Sequence, residues 1–129
     1  MKINKLTLFM VMLFCCNSIS AAATRVVENQ IDKNEWHFYQ FDTDTISELT
    51  IKLRKISDDV DLYVSRAKKP TENDFLCAPK RSSQLIETCR LSLQSPGKWY
   101  IGIHGKAHSD YQLGIKVDDC DLISLRDVK

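Results

Sequence analysis

Few residues in this 129-residue chain could do chemistry. Its histidines are His37, His104 and His108. Nucleophilic catalysis needs a serine or cysteine beside a positioned base and an acid, and no Gly-x-Ser-x-Gly or comparable setting occurs. His104 and His108 stand four apart, the spacing of a helical zinc pair. Gly105 and a turn separate them, so they read as surface turn histidines. Asp58, Asp59 and Asp61, with Asn29, Asp32 and Glu35 upstream, form the acidic candidates. Calcium is the metal they would suit, since it takes about six to eight oxygen ligands. The competing reading has Asp58 and Asp59 capping a turn and Asp61 accepting nearby backbone amides. The chain reads as a non-enzyme that requires no cofactor.

Binding is the other chemistry on offer. If Leu62, Ile101 and Leu113 point inward, then Tyr63, Tyr100, Gln112 and Lys116 point outward, with Gly102 and Gly114 leaving room between them. Flat aromatics on an open sheet give contact area at low entropy cost. That suits a module gripping a protein or polysaccharide surface. The alternative is that the tyrosines only pack across strands. Trp36 and Trp99 are assigned to the core, and Lys68, Lys69, Lys80 and Arg81 to a solvated loop.

These residues need strands to position them. Trp36 to Phe41 puts His37, Tyr39 and Phe41 on one face, Trp36 and Phe38 on the other. Strict alternation follows in Leu49/Ile51/Leu53, Val60/Leu62/Val64, Leu91/Leu93, Trp99/Ile101/Ile103 and Tyr111/Leu113/Ile115/Val117. A period of two with one apolar face is the pattern of a half-buried strand. Two such sheets packed apolar face to apolar face make an antiparallel β-sandwich. Turns are marked by Asp42-Thr43-Asp44, Ser57-Asp58-Asp59, Ser95-Pro96-Gly97 and Ala107-His108-Ser109. The longest connection, Arg66 to Thr88, holds Pro70, Pro79 and two cysteines. Residues 121–129 could be a strand, a helical turn or a tail, and are assigned as a C-terminal tail.

Residues 1–23 read as a signal peptide: Lys2 and Lys5, an apolar run from Leu6 to Cys16, then Ala21-Ala22-Ala23. The run is shorter than the roughly 20 residues of a membrane span. Leu13 and Phe14 are poor neighbours for lipid attachment at Cys15 or Cys16. The expected product is a single domain over residues 24–120 plus the tail, secreted or periplasmic. Without Lys2 and Lys5 the 18 basic residues fall to 16, against 17 acidic. So balanced a charge speaks against nucleic acid and anionic membranes as partners. Cys77, Cys89 and Cys120 remain, and export favours pairing. Cys77 and Cys89 are close, and closing so short a loop stabilises by about 3 kcal/mol. Cys77–Cys120 and Cys89–Cys120 stay open on these grounds. An odd Cys120 would be free or bridge a dimer.

Three ordered stretches carry a resemblance. Asp59-Val60-Asp61-Leu62-Tyr63-Val64, the Cys77/Cys89 segment, and Pro96-Gly97-Lys98-Trp99-Tyr100-Ile101-Gly102-Ile103-His104-Gly105 resemble the bacterial pre-peptidase C-terminal domain. Tyr111-Gln112-Leu113 is similar to its closing strand, and Trp36 to Phe41 to its first. The resemblance covers about residues 34–117. It implies a jelly-roll-like sandwich, the Cys77–Cys89 pairing and a non-catalytic role. Some relatives bind collagen or other insoluble polymers, and some of those bind calcium. The family usually follows a protease catalytic domain, which is not found here. The expected partners are therefore an extracellular protein or polysaccharide, or a secreted protease helped or inhibited in trans. A structural envelope role is a further alternative.

Overall fold

A computed structural model describes residues 23–43, 48–55, 57–81, 85–92, 96–118 and 122–128. The alternating segments form strands as their period demands. In chain order they are β1 (Ala23–Ile31), β2 (Trp36–Thr43), β3 (Glu48–Lys55), β4 (Val60–Arg66), β5 (Ile86–Ser92), β6 (Gly97–Gly105), β7 (Ser109–Asp118) and β8 (Leu122–Val128). They pair antiparallel in two four-stranded sheets. Sheet I has the order β1-β7-β3-β5, and sheet II the order β4-β6-β2-β8.

The apolar faces meet as the alternation requires. Leu49, Ile51 and Leu53 of β3 and Leu113, Ile115 and Val117 of β7 pack against Phe41, Leu62, Val64, Trp99, Ile101 and Ile103, all buried in one cluster. A polar link also crosses the sandwich. The hydroxyls of Tyr39 in β2 and Tyr111 in β7 lie 2.6 Å apart. His37 Nδ1 is 2.8 Å from the Tyr111 hydroxyl. Burial, then the bond to Tyr39, pushes the Tyr111 phenol above its ordinary pKa.

Three features depart from the sequence reading. β1 was not anticipated, because among its described side chains only Val27 and Ile31 touch the core. It is an edge strand, paired to β7 from Ala23↔Val117 to Ile31↔Ser109. β5 begins at Ile86, shortening the long connection, and sends Glu87, Cys89 and Leu91 inward. Of the three options for the last residues, 122–128 take the strand, paired to β2 from Phe38↔Val128 to Phe41↔Leu125 and, past a register shift, at Thr43↔Leu122. Of the expected signal peptide (residues 1–23), all but Ala23 lies outside the described residues, as do Leu93 and Cys120.

Cys77 and Cys89 form a disulfide, with Cα atoms 6.0 Å apart. Cys89 sits in β5 of sheet I, whereas Cys77 bridges to Val64 on the edge of sheet II. The bond therefore staples one sheet to the other. A buried ion pair lies near it. Glu87 is fully buried, accepts the Leu62 and Arg81 amides at 2.8 and 2.7 Å, and meets Lys55 Nζ at 3.1 Å. Lys55 also donates to Asp59 Oδ1 at 2.8 Å and to the Arg81 carbonyl. Burial alone would lower the Lys55 pKa. The hydrogen bonds to Asp59 and Glu87 outweigh burial and hold it above its ordinary value.

Candidate functional site

The β4–β5 connection decides what the outer face of sheet II looks like. Register puts Asp61, His104 and Trp36 in one row across this face, and Tyr63, Gly102 and Phe38 in the next. Gly102 leaves a gap at the centre, and Pro70 of the connection drops into it: a Cβ on residue 102 would lie 2.9 Å from Pro70 Cγ. From there the chain runs over Tyr63, whose ring meets Phe75 edge-on at 5.7 Å. Leu76 N–H then bonds the Val64 carbonyl at 2.7 Å, and Val64 N–H that of Cys77 at 2.8 Å, closing the free edge of β4.

Ionic and polar contacts hold the same segment down. Glu72 Oε1 lies 3.0 Å from His104 Nδ1 and 3.2 Å from Lys106 Nζ. The Lys106 ammonium keeps the Glu72 carboxyl below the usual range. Lys68 pairs with Asp74 inside the segment. Burial, with Lys106 nearby, pushes the His104 imidazole below its ordinary pKa, against the pull of Glu72 and Asp61.

What stays open is a pile of rings. Trp36 stacks on His104 at 4.4 Å and on Phe38 at 5.4 Å, and tilts against Tyr63 at 5.1 Å. Lys69 stands 4.9 Å over Phe38, and Lys80 4.9 Å over Phe75. Trp36 and Phe38 are half-buried, while Phe75 is 38% and Leu76 59% exposed. Neither Phe75 nor Leu76 was singled out from the sequence. They lie in an irregular segment with no period to show which way they face. Trp36 and Phe38 carried a signal, being out of phase with the core positions Tyr39 and Phe41.

Several expectations need correction. Tyr63 does point to the outer face, but at 1% exposure it is roofed by the connection, so it offers no open contact area. Tyr100 is half-buried on that face, in the row of Ser65 and Gln40. Gln112 and Lys116 are on β7 of sheet I. Outward faces of the two sheets point in opposite directions, so these four residues cannot share one surface. His104 is buried beneath Trp36, and only His108 is a surface turn residue. Trp99 is core, but Trp36 belongs to the outer face.

The three aspartates do not converge. Asp58 Oδ1 takes the Asp59 amide at 2.7 Å, as its turn-capping alternative required. Asp59 is held by Lys55, and Asp61 lies 3.7 Å from Lys106. Asp32 is engaged by His108 at 2.6 Å, and Glu35 Oε2 accepts the Asp32 amide at 2.9 Å. Among the described residues, no group of three or more His, Cys, Asp or Glu side chains is placed to hold a metal ion. As arranged, Asp58, Asp59 and Asp61 do not fit a calcium site.

The bacterial pre-peptidase C-terminal domain matches the chain over residues 36–105, from the start of β2 to the end of β6. The chain belongs to that family. The pre-peptidase C-terminal domain is a non-catalytic appendage, and its match here spans the aromatic face, the disulfide and the strand that receives Pro70. A neutral protease of Vibrio proteolyticus is 29% identical over 80 residues, covering 62% of this chain. The chain spans only 13% of that protease. Two solved structures share the fold at low identity. PliG of Aeromonas hydrophila, a periplasmic inhibitor of g-type lysozyme, superposes with a TM-score of 0.56 at 10% identity, over 74% of this chain and 87% of PliG. The lipase BlEst2 of Bacillus licheniformis, in its propeptide form, gives 0.51 at 12% identity, over 78% of this chain and 22% of the lipase. Among the described residues, no helix is long and apolar enough to cross a membrane.

Proposed function

We propose that this chain is a non-catalytic binding module of an exported protein, gripping a protein or polysaccharide surface with the outer face of sheet II. One observation carries this: a run of ring contacts leads from Phe38 through Trp36 and Tyr63 to Phe75, and ends beside exposed Leu76. Solvent-facing apolar groups on a braced segment favour contact with a partner. The disulfide, the Pro70–Gly102 contact and the Glu72 latch fix that segment in advance, so little ordering cost remains on binding. Tyr100, farther along the same face, extends the contact area. Gln112 and Lys116 take no part in this reading.

A second reading is favoured by PliG, whose similarity spans nearly all of a lysozyme inhibitor. A sandwich of this shape could act in trans on a secreted enzyme, and protease kinship makes a protease the first enzyme to try.

The test uses the purified protein on insoluble collagen, chitin and an immobilised neutral protease, each with calcium and with chelator. Retention on one of them that is lost in Phe75→Ser/Leu76→Ser, at unchanged melting temperature, supports the reading. Retention indifferent to that substitution, or no retention at all, overturns it. Inhibition of the protease by the wild type alone would select the second reading.

A further inference from the structure

The outer face of sheet I, directed away from the aromatic face, has a different chemistry. Register places three rows across it: Thr24, Lys116, Thr50 and Arg90; Val26, Gly114, Lys52 and Thr88; Glu28, Gln112, Arg54 and Ile86. Lys52, Arg54 and Arg90 are exposed and, among the described residues, meet no carboxylate. Lys55, Lys68 and Lys106, by contrast, are ion-paired: Lys55 to Glu87 and Asp59, Lys68 to Asp74, Lys106 to Glu72 and Asp61. The acidic neighbours are placed so as to leave the middle positive. Glu28 receives Gln112 Nε2 at 2.8 Å, while Glu48 and Asp118 lie by register in the row beyond Thr50 and Lys116, and Asp110 in the row beyond Gln112.

The relief of this face also matters. Gly114 stands at its centre with open space above it, the nearest atom to a built Cβ being the Lys52 carbonyl oxygen at 3.9 Å. Beside it lies a depression of about 340 Å³ lined by Glu28, Arg54, Lys55, Leu85 and Gln112. Unmatched cations, threonine and glutamine donors and a shallow hollow are thus brought onto one flat surface.

We infer that the outer face of sheet I is a second binding surface, for an anionic polysaccharide. Carboxylate or sulfate groups meet Lys52, Arg54 and Arg90, while Thr50, Thr88 and Gln112 bond the sugar hydroxyls. Size and composition decide among polyanions. Four strands about 4.8 Å apart, by three rows about 6.8 Å apart, span roughly 200 Å². A stable protein interface needs about 800 Å² from each partner. Single-stranded nucleic acid wants aromatic platforms for its bases, and these three rows contain none. A sugar chain needs neither. The chain's near-neutral total charge does not oppose this, because attraction at contact range depends on local charge.

The experiment titrates the purified protein with labelled heparin, polygalacturonate, uncharged dextran and poly-glutamate at low salt. Heparin or polygalacturonate should bind, dextran should not, and affinity should fall steeply with added salt. Lys52→Gln/Arg54→Gln/Arg90→Gln should weaken binding at least tenfold at an unchanged melting temperature. Arg25→Gln/Lys33→Gln/Lys98→Gln removes equal charge from exposed sites off this face and should leave binding within twofold. Three outcomes overturn the inference: no binding to either acidic polysaccharide, equal loss in both triple variants, or poly-glutamate bound as tightly as the sugars. None depends on Phe75 or Leu76, so this surface stands or falls apart from the aromatic one.

Discussion

Pro70 fills the space that Gly102 leaves on the outer face of sheet II, and Trp36 closes on the same spot from the other side. A Cβ there would lie 2.9 Å from both Pro70 Cγ and the Trp36 ring. The connection anchored there, with Phe75 over Tyr63 and Leu76 and Cys77 along the edge, leaves β4 buried on both faces: every residue from Val60 to Ser65 is out of solvent. Gly102→Ala should therefore cost about 1–3 kcal/mol through overpacking. Denaturant unfolding reads the loss. Faster proteolysis of residues 67–81 would show that the connection has lifted, and a variant as stable as the wild type would refute the wedge.

The Cys77–Cys89 staple joins the two sheets through a loop 12 residues long. Cys77→Ser/Cys89→Ser should lower stability by about 3 kcal/mol in the chain-entropy picture. Adding reductant to the wild type should reproduce that loss, and adding it to the variant should do nothing. The comparison is made by urea midpoints.

Breaking the Lys55–Glu87 pair from one side strands a buried charge. Lys55→Met alone should cost about 3–5 kcal/mol, and Lys55→Met/Glu87→Gln distinctly less. A strictly additive pair of losses would show that the two groups are not coupled. The alkaline limb follows from the raised Lys55 pKa. The ammonium's stabilising contribution is complete below its unfolded value, about 10.4, and is lost as pH rises through the higher folded value. Lys55→Met should flatten that limb of the stability curve.

His104 acts with the opposite sign. Its folded pKa is depressed, so below about pH 6.5 the unfolded chain takes up the proton first, and stability falls as pH drops toward the folded value. His104→Gln should remove this slope while leaving stability above pH 7 less changed. Melting temperatures between pH 7 and 5 decide it; a slope that persists in the variant must come from other groups.

Much of the fold was legible because strand alternation is written locally. Leu49/Ile51/Leu53 or Trp99/Ile101/Ile103 shows a buried face whatever lies across from it. β1 escaped notice because an edge strand buries so little that Val27 and Ile31 make no pattern. The three aspartates show another limit: Asp58, Asp59 and Asp61 are close in the chain, but each has a different partner. Adjacency says nothing about the lysines that meet Asp59 and Asp61 from β3 and from the β6–β7 turn.

The Cys77–Cys89 pairing was favoured by the family resemblance, whereas by itself the sequence determined the strands from β2 to β7, their inward faces and the turns at Ser57-Asp58-Asp59 and Ala107-His108. Those follow from period and turn chemistry, which act over a few residues. Only the tertiary structure decided which sheet each strand joins. That assignment parted Tyr100 from Gln112 and Lys116, roofed Tyr63 with Pro70 and Phe75, and gathered Lys52, Arg54 and Arg90 on one face. Such groupings come from pairings between strands distant in the chain, where side-chain neighbours are set by sheet order and not by spacing in sequence.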